Sequence, residues 1–233
     1  RRSSDLSWKD IYWKRPVFSP GWFVAAFVLP ISIICFYIFF VQGEYFVINT
    51  TDSIGVVIAK ELISEMAMLT KYVLPVFLLF FGLLPGVLGG VLKKRTVCLL
   101  TAGIFAFSKA NYYLTGGMYR EFFYAIIIEF IMGMAFVLMT FDTGSIWPSF
   151  IVASVYYILI TGGSLLYIAH DAGSYVSSFF GYDIKSDNWL ISGIPGTSDI
   201  ELSMPNAIVF AIVTLVAYVR IKRKGRKCAN SAQ

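Results

Sequence analysis

Two ionisable residues lie inside otherwise apolar stretches of this chain. Lys109 closes the run Phe105-Ala-Phe-Ser-Lys, and Glu129 lies within Ile126-Ile-Ile-Glu-Phe-Ile. An unpaired charge in the middle of a bilayer is costly, so such residues usually pair or line a cavity. If consecutive antiparallel helices carry them, both lie roughly 10 Å below the outer boundary, at about 1.5 Å per residue. We therefore predict a buried polar pair, which either forms a proton or substrate site or fixes the helix register.

The other residues that could do chemistry are scattered. Glu61 and Glu65 are four residues apart on a predicted amphipathic helix, residues 55–71, and hence on one face. Paired carboxylates can bind a metal or act as acid and base, but we favour the solvated face of an interfacial helix. His170 is the single histidine, and one histidine cannot build a two- or three-histidine zinc site. We predict no catalytic residue, metal or cofactor; if the protein is an enzyme, its candidates are Glu61, Glu65, Glu129 and His170.

The composition is that of a membrane protein. Of the 233 residues, 58% are hydrophobic and 14% are charged, and the mean hydropathy is +0.72. Soluble domains are about 45–50% apolar and about 25% charged. The net charge of +5 would suit a nucleic-acid ligand, but the basic residues cluster at the edges of apolar stretches, where they set membrane topology. We therefore predict membrane lipids and another integral membrane protein as partners, and no nucleic acid.

These elements predict an all-α bundle of six transmembrane helices across residues 22–220, between an interfacial segment, 1–21, and a basic tail, 221–233. Three basic regions would lie on one side of the membrane, and the acidic segment 170–205 on the other. By the positive-inside rule both termini are cytoplasmic, which describes a multi-pass protein of the cell membrane. The predicted spans are 22–41, 72–92, 97–114, 122–141, 145–169 and 206–219.

The second predicted span carries a possible docking surface for another helix. Gly82, Gly86 and Gly90 recur at intervals of four residues. Small residues at this spacing allow two helix backbones to approach closely in a membrane. We therefore predict a helix-packing ridge along these three glycines.

Several motifs follow one another in a recognisable order between roughly residues 72 and 160. They are Phe80-Phe-Gly-Leu-Leu84, Lys93-Lys-Arg95, Phe105-Ala-Phe-Ser-Lys109, Gly133 and Thr143-Gly-Ser-Ile-Trp-Pro148. This order resembles the CPBP family of membrane proteases, also called Abi, which includes CAAX prenyl proteases and bacteriocin-processing relatives. The most specific piece is Thr143–Pro148; without the resemblance, the same six residues describe an interfacial turn with a tryptophan anchor and a proline at the first helical position.

The resemblance departs from the family at the residues that carry its chemistry. In that family two glutamates and two histidines are thought to activate water with the help of a metal. The matching positions here are Val76 and Phe77 for the glutamates, Phe81 for an arginine, Lys109 and Ala153 for the histidines, and Tyr157 for an asparagine.

The resemblance thus implies a pseudoprotease: a CPBP-like bundle that serves as an accessory or regulatory subunit of a membrane complex. Two alternatives remain open. One is an active intramembrane protease or hydrolase that uses non-standard residues, and the other is a small transporter or channel subunit with Lys109 and Glu129 on its pathway.

Overall fold

The computed structural model describes most of the chain, and it is helical with one small sheet. It describes residue 12 and residues 19–47, 53–161, 166–169, 180–186, 188–192 and 200–230. The helices are α1 (Pro20–Phe40), α2 (Ile54–Gly89), α3 (Lys94–Thr115), α4 (Tyr119–Thr143), α5 (Trp147–Tyr156), a short α6 (Trp189–Ser192) and α7 (Met204–Asn230). The strands are β1 (Gly43–Val47), β2 (Leu166–Ala169) and β3 (Phe180–Ile184).

Within the described residues, five helices are long and apolar enough to cross a membrane: α1, α2, α3, α4 and the part of α7 up to Arg226. The predicted fold class, an all-α bundle with several helices of membrane-spanning length, is confirmed. The first, third and fourth predicted spans differ from α1, α3 and α4 by a few residues at each end, as expected because helix boundaries are the least well defined feature.

Three predicted spans were wrong in extent. The sixth, 206–219, is part of α7, which continues to Asn230 through most of the predicted basic tail, because lysine and arginine are good helix formers. The fifth, 145–169, is helical through α5 and a π-helical turn, Tyr157–Thr161, while its last four residues form β2. Hydropathy alone cannot distinguish a short apolar strand from the end of a helix. The second, 72–92, is part of one continuous helical run from Ile54 to Gly89, so the separate interfacial helix 55–71 is also wrong.

The chain is divided into two compact units. The first unit comprises residues 1–20, 76–150 and 207–233, and the second comprises residues 21–75 and 151–206. In the first unit, α3 and α4 form an antiparallel hairpin joined by residues 116–118, with α7 alongside α4. The Thr214 hydroxyl lies 3.4 Å from the Ile131 carbonyl oxygen, and the Phe136 and Phe210 ring centroids are 5.6 Å apart.

The second unit contains a three-stranded sheet that the sequence analysis did not predict. The strand order is β1-β3-β2, antiparallel between β1 and β3 and parallel between β3 and β2. The buried Tyr182 hydroxyl donates to the Val41 carbonyl at 2.6 Å, which ties β3 to the end of α1. A Cβ at Gly43 would come within 2.6 Å of the Asp183 carbonyl oxygen, so only glycine fits there.

Candidate functional site

The predicted polar pair lies on the α3–α4 hairpin of the first unit. Glu129 is 5% exposed, within a helix of 25 residues whose mean hydropathy is 2.3 over its most apolar window. Lys109 is partly exposed on α3. Each side chain takes part in a polar or electrostatic interaction with its surroundings. The first unit therefore has one carboxylate held well inside an apolar helix.

The register of the hairpin places the two residues at a similar level. A Cβ on Gly133 would lie 3.2 Å from the Ala102 Cα and 2.9 Å from the Phe105 ring, so the two backbones touch at this point. Glu129 precedes Gly133 by one turn, and Lys109 follows Phe105 by one turn. In an antiparallel pair both steps lead toward the same end, by about 6 Å each. The geometry therefore allows the predicted pairing, which itself stays a prediction.

A cluster of phenylalanine rings occupies two of the positions that the family resemblance assigns to catalytic groups. Phe77 and Phe81 on α2 lie 4.8 Å apart between ring centroids. Phe81 is 5.1 Å from Phe105 on α3 and 5.6 Å from Phe136 on α4, and Phe77 is 5.0 Å from Phe136. All four side chains are almost completely buried. Aromatic pairs at these distances favour one another through their quadrupoles, so this aromatic cluster forms a packed apolar core.

Three further positions of the family pattern, apart from Lys109, are also buried or partly buried. Val76 is partly buried beside Phe77. In the second unit, Ala153 and Tyr157 are buried on α5 and its π-helical extension. At these positions the described chain thus carries apolar or aromatic side chains in place of the residues that the family uses.

The segment Thr143–Pro148 forms a hydrogen-bonded turn between α4 and α5. Gly144 takes a left-handed conformation, with φ of 69°, and its N–H donates to the Thr140 carbonyl at 2.8 Å. The hydroxyls of Thr140 and Ser149 lie 2.9 Å apart and are buried. The N–H of Ile146 donates to the Tyr12 carbonyl at 3.2 Å, so Tyr12 lies against this turn.

An ion cluster beside this turn is the polar feature that sequence reasoning missed. The side chain of Asp142, near the end of α4, is fully buried. Its Oδ2 accepts a hydrogen bond from Arg220 Nε at 2.9 Å, and its Oδ1 lies 2.7 Å from Lys224 Nζ. Lys224 also donates to the Asp142 carbonyl at 2.6 Å. The only signal for it was an acidic residue at a helix end on the side of the basic residues.

The structure does not bring the remaining enzyme candidates, Glu61, Glu65 and His170, together in a described site. Glu65 on α2 is 6% exposed, so its predicted place on a solvated face was wrong; the apolar helix continues through this position instead of lying at the interface. The side chain of Glu61 and the whole of His170 lie outside the described residues. No group of three or more histidine, cysteine or acidic residues in the described part of the chain could hold a metal ion.

The glycines of the predicted ridge become more exposed from Gly82 to Gly90. Gly82 is buried, Gly86 is partly buried, and Gly90 lies exposed in the turn that follows the helix. A close approach of two helices lies instead at Gly133, where an added Cβ would be 3.2 Å from the Ala102 Cα. Gly82 is therefore buried within the protein itself. Only Gly86 and Gly90, at the end of the ridge, are accessible to a helix of another protein.

No protein-family model, curated protein or solved structure matches the chain. The CPBP resemblance therefore rests on the sequence motifs alone.

Proposed function

We propose that this protein is a non-catalytic, CPBP-like membrane protein that acts as an accessory or regulatory subunit of a membrane protein complex. The aromatic cluster of Phe77, Phe81, Phe105 and Phe136 carries this proposal. Two of its rings stand where the family pattern has a glutamate and an arginine. The bundle is stabilised by apolar packing at the point where the family would activate water.

The chemistry of the cluster supports this view. An ionised carboxylate in such a place would be desolvated and would need a cation or several hydrogen-bond donors nearby. Phenylalanine supplies neither, and the packing of the rings leaves these side chains almost no solvent exposure. A subunit whose work is to bind another helix requires a rigid core of this kind and an accessible surface, for which Gly86 and Gly90 are the candidates.

The test is purification of the tagged protein from its native membrane in mild detergent, with mass spectrometry of what elutes at constant stoichiometry. Gly90→Leu should reduce recovery of the partner, because it adds bulk to the proposed docking ridge. Gly89→Leu is the matched control: an added Cβ at this neighbouring glycine meets nothing within 4 Å, and it points about 100° away from Gly90 around the helix axis. A protein without a stoichiometric partner, or a partner lost equally from both variants, would overturn the proposal.

A second candidate function is favoured by the burial of Glu129 inside α4. An ionisable residue within a transmembrane segment often marks a proton or ion pathway. In a small transporter or channel subunit, Glu129 and Lys109 would line that pathway. Flux into vesicles containing the purified protein should then depend on pH and be lost in Glu129→Gln. Absence of any flux in the unaltered protein would remove this candidate.

The active-hydrolase alternative is tested with the same set of proteins. It predicts that one carboxylate change, at Glu65 or Glu129, abolishes turnover without loss of folding. The accessory-subunit proposal predicts instead that neither change alters the recovery of a partner beyond its effect on stability.

A further inference from the structure

The last turns of α7 carry more positive charge than the described acidic side chains neutralise. Asp142 binds Arg220 and Lys224, which lie one turn apart on the same face of the helix. Lys222, Arg223 and Arg226 are exposed, and the described part of the chain offers them no ion-pair partner. Lys222 and Arg226 point about half a turn away from Asp142. The Asp142 cluster thus fixes the helix so that the remaining cations face outward.

These outward cations lie at the depth of lipid head groups. The helix is apolar from Ala207 to Val219, and the first charge is Arg220. At about 1.5 Å per residue, Lys222 and Arg226 are roughly 3 Å and 9 Å further along the axis. The head-group layer is about 5–8 Å thick on each side of the hydrocarbon core. A phosphate of the adjacent leaflet would therefore be within reach of these side chains.

Other charges of the first unit reinforce the field at this end. Lys93, Lys94 and Arg95 are exposed where α3 begins. The antiparallel hairpin brings the start of α3 to the end of α4, and Asp142 brings the end of α7 there too. The first turn of α3 contains no acidic residue. Among the described residues, the same end of the unit therefore carries two basic clusters and one carboxylate, Asp142, that already binds two cations.

We propose that Lys222, Arg223 and Arg226 form a binding surface for anionic phospholipid head groups of the leaflet that surrounds the end of α7. The partner is a lipid phosphate: arginine binds phosphate oxygens through a planar pair of donors, and lysine adds a point charge. The surface goes beyond setting topology, because Asp142 orients it. A topology signal alone requires no defined orientation of its charges.

The experiment measures thermal unfolding of the purified protein in non-ionic detergent, followed by tryptophan fluorescence, while phosphatidylglycerol or phosphatidylcholine is added. A ligand that binds only the folded state raises the midpoint by an amount that grows with the logarithm of its concentration relative to its Kd. We expect tighter binding of phosphatidylglycerol, weakened by salt, since screening acts over about 10 Å at 0.1 M. Each cation near a membrane surface contributes about fivefold to the affinity for anionic lipid. The triple variant Lys222→Ala/Arg223→Ala/Arg226→Ala should therefore bind phosphatidylglycerol about 100-fold more weakly.

Two controls distinguish binding of a lipid head group by these three cations from binding of free phosphate or binding by the Asp142 cluster. Asp142→Asn should lower the midpoint without lipid and should weaken the phosphatidylglycerol effect much less than the triple variant does, because the three outward cations remain while the contact that orients them is lost. Glycerol phosphate, added without acyl chains, should have little effect; an equal effect would show a site for free phosphate and overturn the membrane proposal. Equal stabilisation by both lipids, or an unchanged preference in the triple variant, would also overturn it. The single variant Arg226→Glu repeats the test if the triple variant folds poorly.

Discussion

Asp142 Oδ2 accepts a hydrogen bond from Arg220 Nε at 2.9 Å, although 78 residues separate the two. This contact places the end of α7 beside the end of α4. The turn after α4 also holds Tyr12, whose ring centroid is 5.5 Å from that of Phe141. Tyr12, the start of α3 and the end of α7 thus meet at one end of the first unit, as expected if the basic residues beside them lie on one side of a membrane.

The first prediction concerns the two ways of breaking the Asp142 cluster. Arg220→Ala/Lys224→Ala leaves a buried carboxylate without these cations and should lower the free energy of unfolding by about 3–5 kcal/mol. Asp142→Asn leaves two cations that are 41% and 55% exposed and can be hydrated. It should cost less, about 1–2 kcal/mol. Chemical unfolding in detergent, followed by circular dichroism, measures both.

The matched control for this pair is Lys222→Ala/Arg223→Ala, which removes two exposed cations from the same helix. Its free energy of unfolding should stay within about 0.5 kcal/mol of the unaltered protein, as is usual for surface positions. If Asp142→Asn lowers the free energy of unfolding more than Arg220→Ala/Lys224→Ala does, the burial of the carboxylate does not control the stability of the cluster.

The second prediction tests the close contact of α3 and α4. In Gly133→Ala the new methyl would meet the Ala102 Cα at 3.2 Å and the Phe105 ring at 2.9 Å. A backbone atom cannot move aside as a flexible side chain can, so the helices must separate, at a cost of about 1–3 kcal/mol. Gly103→Ala is the control: nothing lies within 4 Å of its added methyl. Thermal unfolding should show a lower midpoint for the first variant and an equal or higher midpoint for the second.

The third prediction concerns the aromatic cluster. Phe81→Ala would leave a cavity between Phe77, Phe105 and Phe136, and such changes cost about 3–5 kcal/mol in packed cores. Phe81→Leu should cost less, because it fills part of the same volume. Leu79→Ala on the same helix is the control, since its side chain is 51% exposed. Equal unfolding midpoints for Phe81→Ala and Leu79→Ala would show that the rings do not form a supporting core.

Much of the bundle followed from sequence because hydropathy marks membrane-length helices well. Lys94–Thr115 and Tyr119–Thr143 lie within three residues of their predicted bounds at each end. The sheet was missed because β2 is a short apolar run, and its pairing with β3 is a long-range contact that no local pattern specifies. The Asp142 cluster was missed for the same reason: an acidic residue at a helix end does not specify which cation, here one 78 residues away, binds it.

The fourth prediction is a loss of the small sheet at alkaline pH. Burial, followed by the field of Tyr182, raises the pKa of Tyr45, and burial raises the pKa of Tyr182. Hydrogen bonding to Asp183 raises the pKa of Lys185. For each group the folded state holds its proton more tightly than the unfolded state. The stabilisation is therefore fully present below the unfolded-state pKa and is lost as pH rises through the folded-state pKa.

The window for this loss begins near pH 10, where an unfolded tyrosine starts to ionise. Tyrosinate absorbance and circular dichroism, recorded together during a titration, should show ionisation of Tyr45 and Tyr182 coupled to loss of sheet structure. Tyr182→Phe keeps the ring but lacks the hydroxyl that donates to Val41. It should be less stable at neutral pH and less sensitive above pH 10; unchanged alkaline sensitivity would contradict the prediction.

The fifth prediction tests the pairing of Lys109 with Glu129 by a double-mutant cycle. If they form an ion pair inside the membrane, Lys109→Ala and Glu129→Ala each leave a charge without its partner, and the double variant removes both. The double variant should then be more stable than the sum of the single effects implies, with a coupling energy of about 0.5–3 kcal/mol. Additive effects would show that each residue is stabilised by other groups of the hairpin.

Exchange of the two charges distinguishes a register-fixing pair from a functional site. Lys109→Glu/Glu129→Lys preserves an ion pair at the same level of the hairpin, so its unfolding midpoint should recover relative to either single reversal. A pair that only fixes register should recover partner binding as well as stability. A proton or ion pathway depends on which residue carries the carboxylate, and its flux should stay lost in the exchanged variant.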